Sequence, residues 1–532
     1  MKITRRQAVA ASGLAIAGAA LGGGPAVAQM NHEGHGTPMP QAAPPAQSEP
    51  NTARQWIDVA KGTQYPARTI EPGVAVPPGE PGRDYNPVIT PNGATLPFKV
   101  VDGVKVFHLV AEEIMHEFAP SNKAKLWGFN GRVHGPTIEV VEGDSVRIYV
   151  TNKLPEYVSI HWHGIILPSG MDGVPGLSQK PIQPGETFKY EYPLIQYGTH
   201  MYHAHSDEMV QMGLGLMGLF VIHPRRPPDP RPDRDFAIML SEWDIKPGTY
   251  RPDPRVFAGF NTLTFNAKVF PATEPLVAKR GDRVRIRLAN LGAMDHHPIH
   301  LHGHSFWVTQ TDGGVIPPSA RWPEATVLVS VGQSRTVDFI ADNPGDWAFH
   351  CHMTHHVMNQ MGHEGPNLIG VDPSKLRQAV KPLIPGFMPM GTNGMGDMSG
   401  DMENTQMNMP GMTHHSTHGM ANQSQQMPMP QNSIAMMGGP GPYGTIDMGG
   451  MLTVFKVREN LTSYADPGWY QAPAGTVAQA ATKQELERDG ITVGSSAQQR
   501  PSAGEAPMTN MPGMKHMDMP GMDHMNMPGM KH

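Results

Sequence analysis

Glu139-Val140-Val141-Glu142-Gly143-Asp144-Ser145-Val146-Arg147-Ile148 is answered further along the chain by Val277-Ala278-Lys279-Arg280-Gly281-Asp282-Arg283-Val284-Arg285-Ile286. A His-x-His follows each copy, at His161 and at His300. Gly185 then matches Gly332, Gly198 matches Gly345, and His203 and His205 match His350 and His352. Such self-similarity means one domain present twice, here over residues 86–226 and 233–372. Both copies alternate apolar and polar residues, as in Val146-Arg-Ile148-Tyr-Val150, Phe188-Lys-Tyr190-Glu-Tyr192 and Val284-Arg-Ile286-Arg-Leu288. Period-two runs broken by Gly, Pro and Asp turns predict half-buried strands of an all-β sandwich. Pro227-Pro-Asp-Pro-Arg-Pro232 reads as a stiff connector between the copies.

The ends differ in kind from this centre. Lys2, Arg5 and Arg6, an Ala/Gly/Leu/Ile stretch and Ala26-Val27-Ala28 make residues 1–28 a signal peptide. Thr4-Arg5-Arg6-Gln7-Ala8-Val9 is similar to a twin-arginine signal, which implies a periplasmic or otherwise exported protein. Residues 29–85, rich in Pro, Gly, Ala and Gln, read as a disordered linker. Past residue 372 the composition shifts: of 38 methionines, 24 lie from Met388 onward. Met-Pro-Gly-Met recurs at 409–412, 511–514, 519–522 and 527–530. Residues 373–532 are therefore expected to be a Met/His-rich tail unable to offset its ordering entropy. An ordered island near 440–470 interrupts it, where Met451-Leu-Thr-Val-Phe-Lys-Val457 reads as a strand. The formal net charge of −6 and the lack of a basic stripe argue against a nucleic-acid partner, and no apolar run suggests a membrane span.

Ten histidines and the single cysteine fall into four clusters: His161-Trp-His163, His203-Ala-His205, His297-Pro-Ile-His300-Leu-His302, and His350-Cys351-His352 with His356 and Met361 beyond. Thiolate and imidazole together suit copper, and two His, one Cys and a weak axial Met describe a blue-copper centre. A strand pleat sends Cys351 to one face and its two neighbours to the other. The cysteine can then bind one metal while His350 and His352 serve another.

These motifs resemble those of the multicopper oxidases, and the short interval between His205 and His297 resembles the two-domain, laccase-like members. The resemblance implies Greek-key sandwiches of cupredoxin type and four coppers per chain. One is a type 1 copper on His297, Cys351 and His356, with Met361 axial. One is a type 2 copper on His161 and His300. Two are type 3 coppers on His163, His203, His205, His302, His350 and His352. It implies dioxygen as the electron acceptor, a homotrimer with each cluster shared between subunits, and a proton-delivering role for Asp172. Met361 as a core residue and Asp172 as a turn former remain the plainer alternatives. Where relatives carry a Glu after the last type 1 histidine, this chain has Val357. Ala204 stands where Cys351 stands in the second copy, so only the second copy can hold type 1 copper.

Thioether sulfur prefers Cu(I), so the methionine-rich stretches point to cuprous ion as reductant and to copper tolerance. A laccase acting mainly on phenols, a periplasmic copper-sequestering protein, a copper nitrite reductase and manganese oxidation are the competing readings.

Overall fold

The computed structural model describes residues 68–227, 229–358, 378, 382, 431–434 and 438–492. The leader, most of the expected linker, Met361 and the Met-Pro-Gly-Met repeats lie outside them. Among the described residues no helix is long and apolar enough to cross a membrane.

Strands dominate, as expected, and build two sandwiches from four larger sheets. The first sheet runs Lys99–Val101, Val104–Ala119, Ser145–Asn152, Thr187–Pro193, with Asn122–Phe129 paired to the long second strand. The second runs Gly135–Val141, Met217–His223, Gly198–Ala204, Ile160–His163. The third contains Thr262–Phe265, Arg234–Trp243, Arg283–Asn290, Ser334–Ile340 and Phe306–Thr311 in that order. The fourth runs Leu276–Lys279, Leu452–Arg458, Gly345–Cys351, His297–Leu301, Thr326–Val329. Strict alternation of burial along Ser145–Asn152 shows why the sequence pattern forms a strand here: Val146, Ile148 and Val150 enter the core while Arg147 and Tyr149 do not.

The sheets stack as layers, in the order first, second, third, fourth. Phe107, Ile148 and Tyr190 of the first sheet meet Ile138, Trp162 and Tyr202 of the second. Met201, Met217 and Val221 on the far face of the second sheet meet Ala237, Met239 and Ala289 of the third. Ile286, Val308 and Val337 of the third meet Ile299, Phe349 and Cys351 of the fourth. Polar groups reinforce the middle seam. Arg287 grips Asp235 through two bonds of 2.8 and 2.9 Å and reaches Thr199 Oγ1 across the seam at 2.8 Å.

Two segments differ from the sequence reading. Residues 68–85, expected as linker, run along the first sandwich without forming a strand. Their backbone is held by buried carboxylates: Ile70 N–H donates to Glu142 at 3.2 Å and Gly79 N–H to Asp144 at 2.9 Å. The island beyond residue 437, expected as a strand interrupting the tail, belongs to the second sandwich. Leu452–Arg458 lies between Leu276–Lys279 and Gly345–Cys351, parallel to the former and antiparallel to the latter. Met217–His223 has the same place between Gly135–Val141 and Gly198–Ala204 in the first copy. The second sandwich therefore does not close at residue 372. Its last strand arrives from beyond 437, so the methionine-rich stretch before it is an insertion within this sandwich.

Near the seam, His223 Nε2 and Glu139 Oε1 lie 2.7 Å apart, both buried. Burial pushes the Glu139 carboxyl up to about 8 and the His223 imidazole down to about 3. Folded Glu139 keeps a proton that the unfolded chain gives up near its ordinary value. Its contribution is fully present at low pH and is lost as pH rises from about 4.5 toward about 8. His223, held neutral, has the opposite slope below its ordinary value of 6.5, so Glu139→Gln should flatten the fall in melting temperature between about pH 6.5 and 8. Wild-type and variant melting temperatures that fall in parallel would contradict this.

Candidate metal centre

The strand Gly345–Cys351 enters the second core with Phe349 and Cys351 pointing inward. Cys351 is fully buried, and two imidazoles converge on its sulfur. His356 Nδ1 lies 3.4 Å and His297 Nδ1 3.8 Å from Sγ, and the two Nδ1 atoms are 3.1 Å apart. The exposed neighbour His355 is not part of this triad. Each imidazole turns its other nitrogen to a carboxylate. His297 Nε2 is 3.3 Å from Glu242 Oε2, and His356 Nε2 is 3.4 Å from Asp295 Oδ2. Glu242 is anchored in turn by the backbone N–H groups of Met294 and Asp295, at 2.9 and 3.2 Å. Gly292 leaves it room, since a Cβ there would sit 2.0 Å from Glu242 Oε2. A carboxylate behind an imidazole fixes its tautomer and aims the opposite nitrogen at a metal.

Electrostatics fit a site completed by a cation. Burial pushes the Cys351 thiol up to about 12, so the thiolate needs a bound positive charge to form. Soft sulfur with two imidazoles is the donor set of a copper site. The His356 hydrogen bond holds the Asp295 carboxyl below its usual range.

The remaining eight histidines form two quartets. On Ile160–His163, Ile160 and Trp162 enter the first core, so His161 and His163 face the third sheet. His161 and His203 are opposite in register, and His163 Nδ1 is 3.3 Å from His203 Nε2. The His161 ring centroid lies 5.4 Å from that of His205. His161 Nδ1 is 2.9 Å from the Asp172 backbone oxygen and 3.4 Å from its Oδ1, which leaves Nε2 for a ligand. Gly173, at φ +90°, permits this turn, because a Cβ there would sit 1.8 Å from Ile160 O. His205 Nε2 is 3.0 Å from Glu208 Oε1.

The second quartet repeats the pattern on the outer face of the fourth sheet. His300 and His350 are opposite in register, and His302 Nε2 is 3.1 Å from His350 Nε2. The His300 and His352 ring centroids are 5.4 Å apart. His300 Nδ1 donates to Ala325 O at 2.7 Å, and His350 Nδ1 to Cys351 O at 2.8 Å. His203 Nδ1 bonds Ala204 O at 2.9 Å in the equivalent way. Burial holds His203 down to about 3 and His350 down to about 4, so both stay in the neutral, metal-binding form.

The layer order keeps the quartets apart within one chain. One is carried by the second sheet and faces the third, while the other faces outward from the fourth. Among the described residues no hydrogen bond or ring contact joins them. Every expected ligand except Met361, which lies outside the described residues, thus falls in one of three groups. Sequence reasoning missed Glu242, Asp295 and Gly292, whose roles depend on contacts between separate segments.

The multicopper oxidase family matches the chain at residues 111–227 and again at 246–366. Copper resistance protein A of Escherichia coli is 30% identical over 349 residues, covering 56% of this chain and 54% of that protein. Laccase-15 of Oryza sativa subsp. japonica is 32% identical over 235 residues, covering 40% of this chain and 38% of that protein. The chain thus spans about half or less of the length of these curated relatives. Among solved structures, the blue copper oxidase from Nitrosomonas europaea is 33% identical with a TM-score of 0.45, covering 48% of this chain and 81% of that one.

Glu242→Gln should weaken copper binding at the Cys351 triad roughly 10- to 100-fold, read by titrating the protein against a chelator of known affinity. Unchanged affinity would show that the carboxylate does not orient His297.

Proposed function

We propose, from the premise that this chain belongs to the multicopper oxidase family, that it couples oxidation of cuprous ion to reduction of dioxygen to water. Four cuprous ions each give up one electron, and four protons join one dioxygen to form two waters. The observation that carries the reading is the pleat at Cys351: its sulfur lies inside with His297 and His356, while His350 and His352 lie outside.

Copper, when bound, supplies one-electron acceptance at the thiolate triad and dioxygen reduction at the histidine cluster. His297, Cys351, His356 and Met361 would hold the type 1 ion. His161 and His300 would hold the type 2 ion. His163, His203, His205, His302, His350 and His352 would hold the type 3 pair, making four coppers per chain. Cys351 offers two exits for an electron: the peptide bond to His352 and the bond from its own carbonyl to His350 Nδ1 at 2.8 Å. Asp172 orients His161 through its backbone oxygen, and its half-exposed carboxylate is suited to passing protons inward.

The layer order supports a cluster completed between subunits, with the first quartet of one copy against the second quartet of the next in a closed homotrimer. Complementation tests this. One variant lacks His161 and His163, and the other lacks His300 and His302. Each alone should be inactive, while co-assembled mixtures should regain a fraction of wild-type oxygen uptake. Inactive mixtures that contain both chains in one oligomer would refute shared clusters.

Cuprous ion as reductant, and a role in copper tolerance, rest on the Met/His-rich stretches and on likeness to copper resistance protein A. Residues Arg5-Arg6 and Ala26-Val27-Ala28 support export to the periplasm. Likeness to a laccase favours phenol oxidation as a second activity. Deleting residues 493–532 and replacing the methionines of 388–429 by serine separates the two while keeping Leu452–Arg458. Cuprous oxidation at low copper should fall at least several-fold with phenol oxidation unchanged. Equal cuprous rates would remove these stretches from the mechanism.

A further inference from the structure

We infer that the Met451 side chain belongs to the immediate surroundings of the Cys351 triad and tunes the metal held there. The inference rests on reading Cys351, His297 and His356 as a type 1 copper site.

Met451 is tied by its backbone to both ligand-bearing segments. Cys351 N–H donates to Met451 O at 3.0 Å, and Met451 N–H donates to His356 O at 3.0 Å. Gly449 N–H donates to Val357 O at 2.7 Å alongside. Gly450 makes this approach possible: its φ is +59°, and a Cβ there would sit 2.3 Å from His356 O.

Register sets the direction of the side chain. Leu452 is opposite His350 on the antiparallel neighbour, so Met451 continues the ladder opposite Cys351. Residues opposite each other share a face, with Cβ atoms roughly 4.5–5.5 Å apart. Leu452 and Val454 line a cavity on the outer face with Ala348. Met451, Phe455 and Val457 share the inner core with Cys351, and Met451 is fully buried. A flexible thioether beside a thiolate can approach the metal or set the polarity around the sulfur, and both alter a type 1 copper.

The internal repeat supplies a natural comparison. In the first copy Ala204 stands at the position of Cys351, and its N–H donates to Leu216 O at 2.9 Å, the counterpart of the Cys351–Met451 bond. Gly215, with φ +111°, precedes Leu216 as Gly450 precedes Met451. Leu216 is fully buried in its own core. The copy without a cysteine uses a plain hydrocarbon at this position, and the copy with one uses sulfur.

Met451→Leu installs the residue of the first copy with little change of volume. In the copper-loaded full chain it should keep the wild-type copper count. It should shift the thiolate charge-transfer band and the type 1 EPR hyperfine splitting, and raise the midpoint potential. Phe455→Leu, in the same core but not opposite Cys351, should leave all three readings at wild type. Wild-type spectra and potential in Met451→Leu would overturn the inference, as would an equal shift in Phe455→Leu. A wild-type protein that shows no blue band when copper-loaded would instead overturn the triad reading and this inference with it.

Discussion

Everything at the candidate centre depends on the pleat of one strand. Neighbouring residues of a strand point to opposite faces, so His350-Cys351-His352 puts a sulfur inside the second sandwich and two imidazoles outside it. A buried thiol with two imidazoles within 3.8 Å and an outward imidazole bonded to its own carbonyl at 2.8 Å forms one contiguous unit. The core supplies the low-polarity setting that suits a thiolate–metal bond, and the outer face supplies access for a second site. A shift of one residue in this register would exchange the two sets and destroy both.

The same pleat, repeated in the first copy at His203-Ala204-His205, generates the other quartet without a sulfur site. Stacking then determines what one chain can and cannot assemble. With the sheets in the order first to fourth, one quartet faces the middle seam and the other the outermost surface, and the third and fourth sheets separate them. On the proposed reading, His297, Cys351 and His356 gather inside the second sandwich, and the eight other histidines are presented as two halves.

Much of this was legible in the sequence because the chemistry and the strand share a period of two. His-x-His and His-Cys-His are at once strand patterns and patterns suited to metal ligands, so their spacing carried the fold and the candidate site. The supporting contacts were not legible. Glu242 lies far from His297 in sequence and meets it only because Arg234–Trp243 runs into the same core. Leu452–Arg458 was readable as a strand, but its place within the second sandwich was not, because the methionine-rich stretch separates it from the motif it pairs with. In the first copy the corresponding strand follows His205 closely, and no compositional break obscures it. Residues 68–85 carry no strand pattern because their order comes from carboxylates of the sandwich, not from their own alternation.

The proposed function requires Cys351 to link an electron-collecting copper to an oxygen-reducing cluster. Its most direct measurement is visible and EPR spectroscopy together with oxygen uptake on copper-loaded wild type and Cys351→Ser. Wild type should show an intense blue band and steady oxygen uptake. The variant should lose both while keeping the EPR signal of the histidine-bound copper. A variant that still consumes oxygen at the wild-type rate when given a reductant would contradict that link.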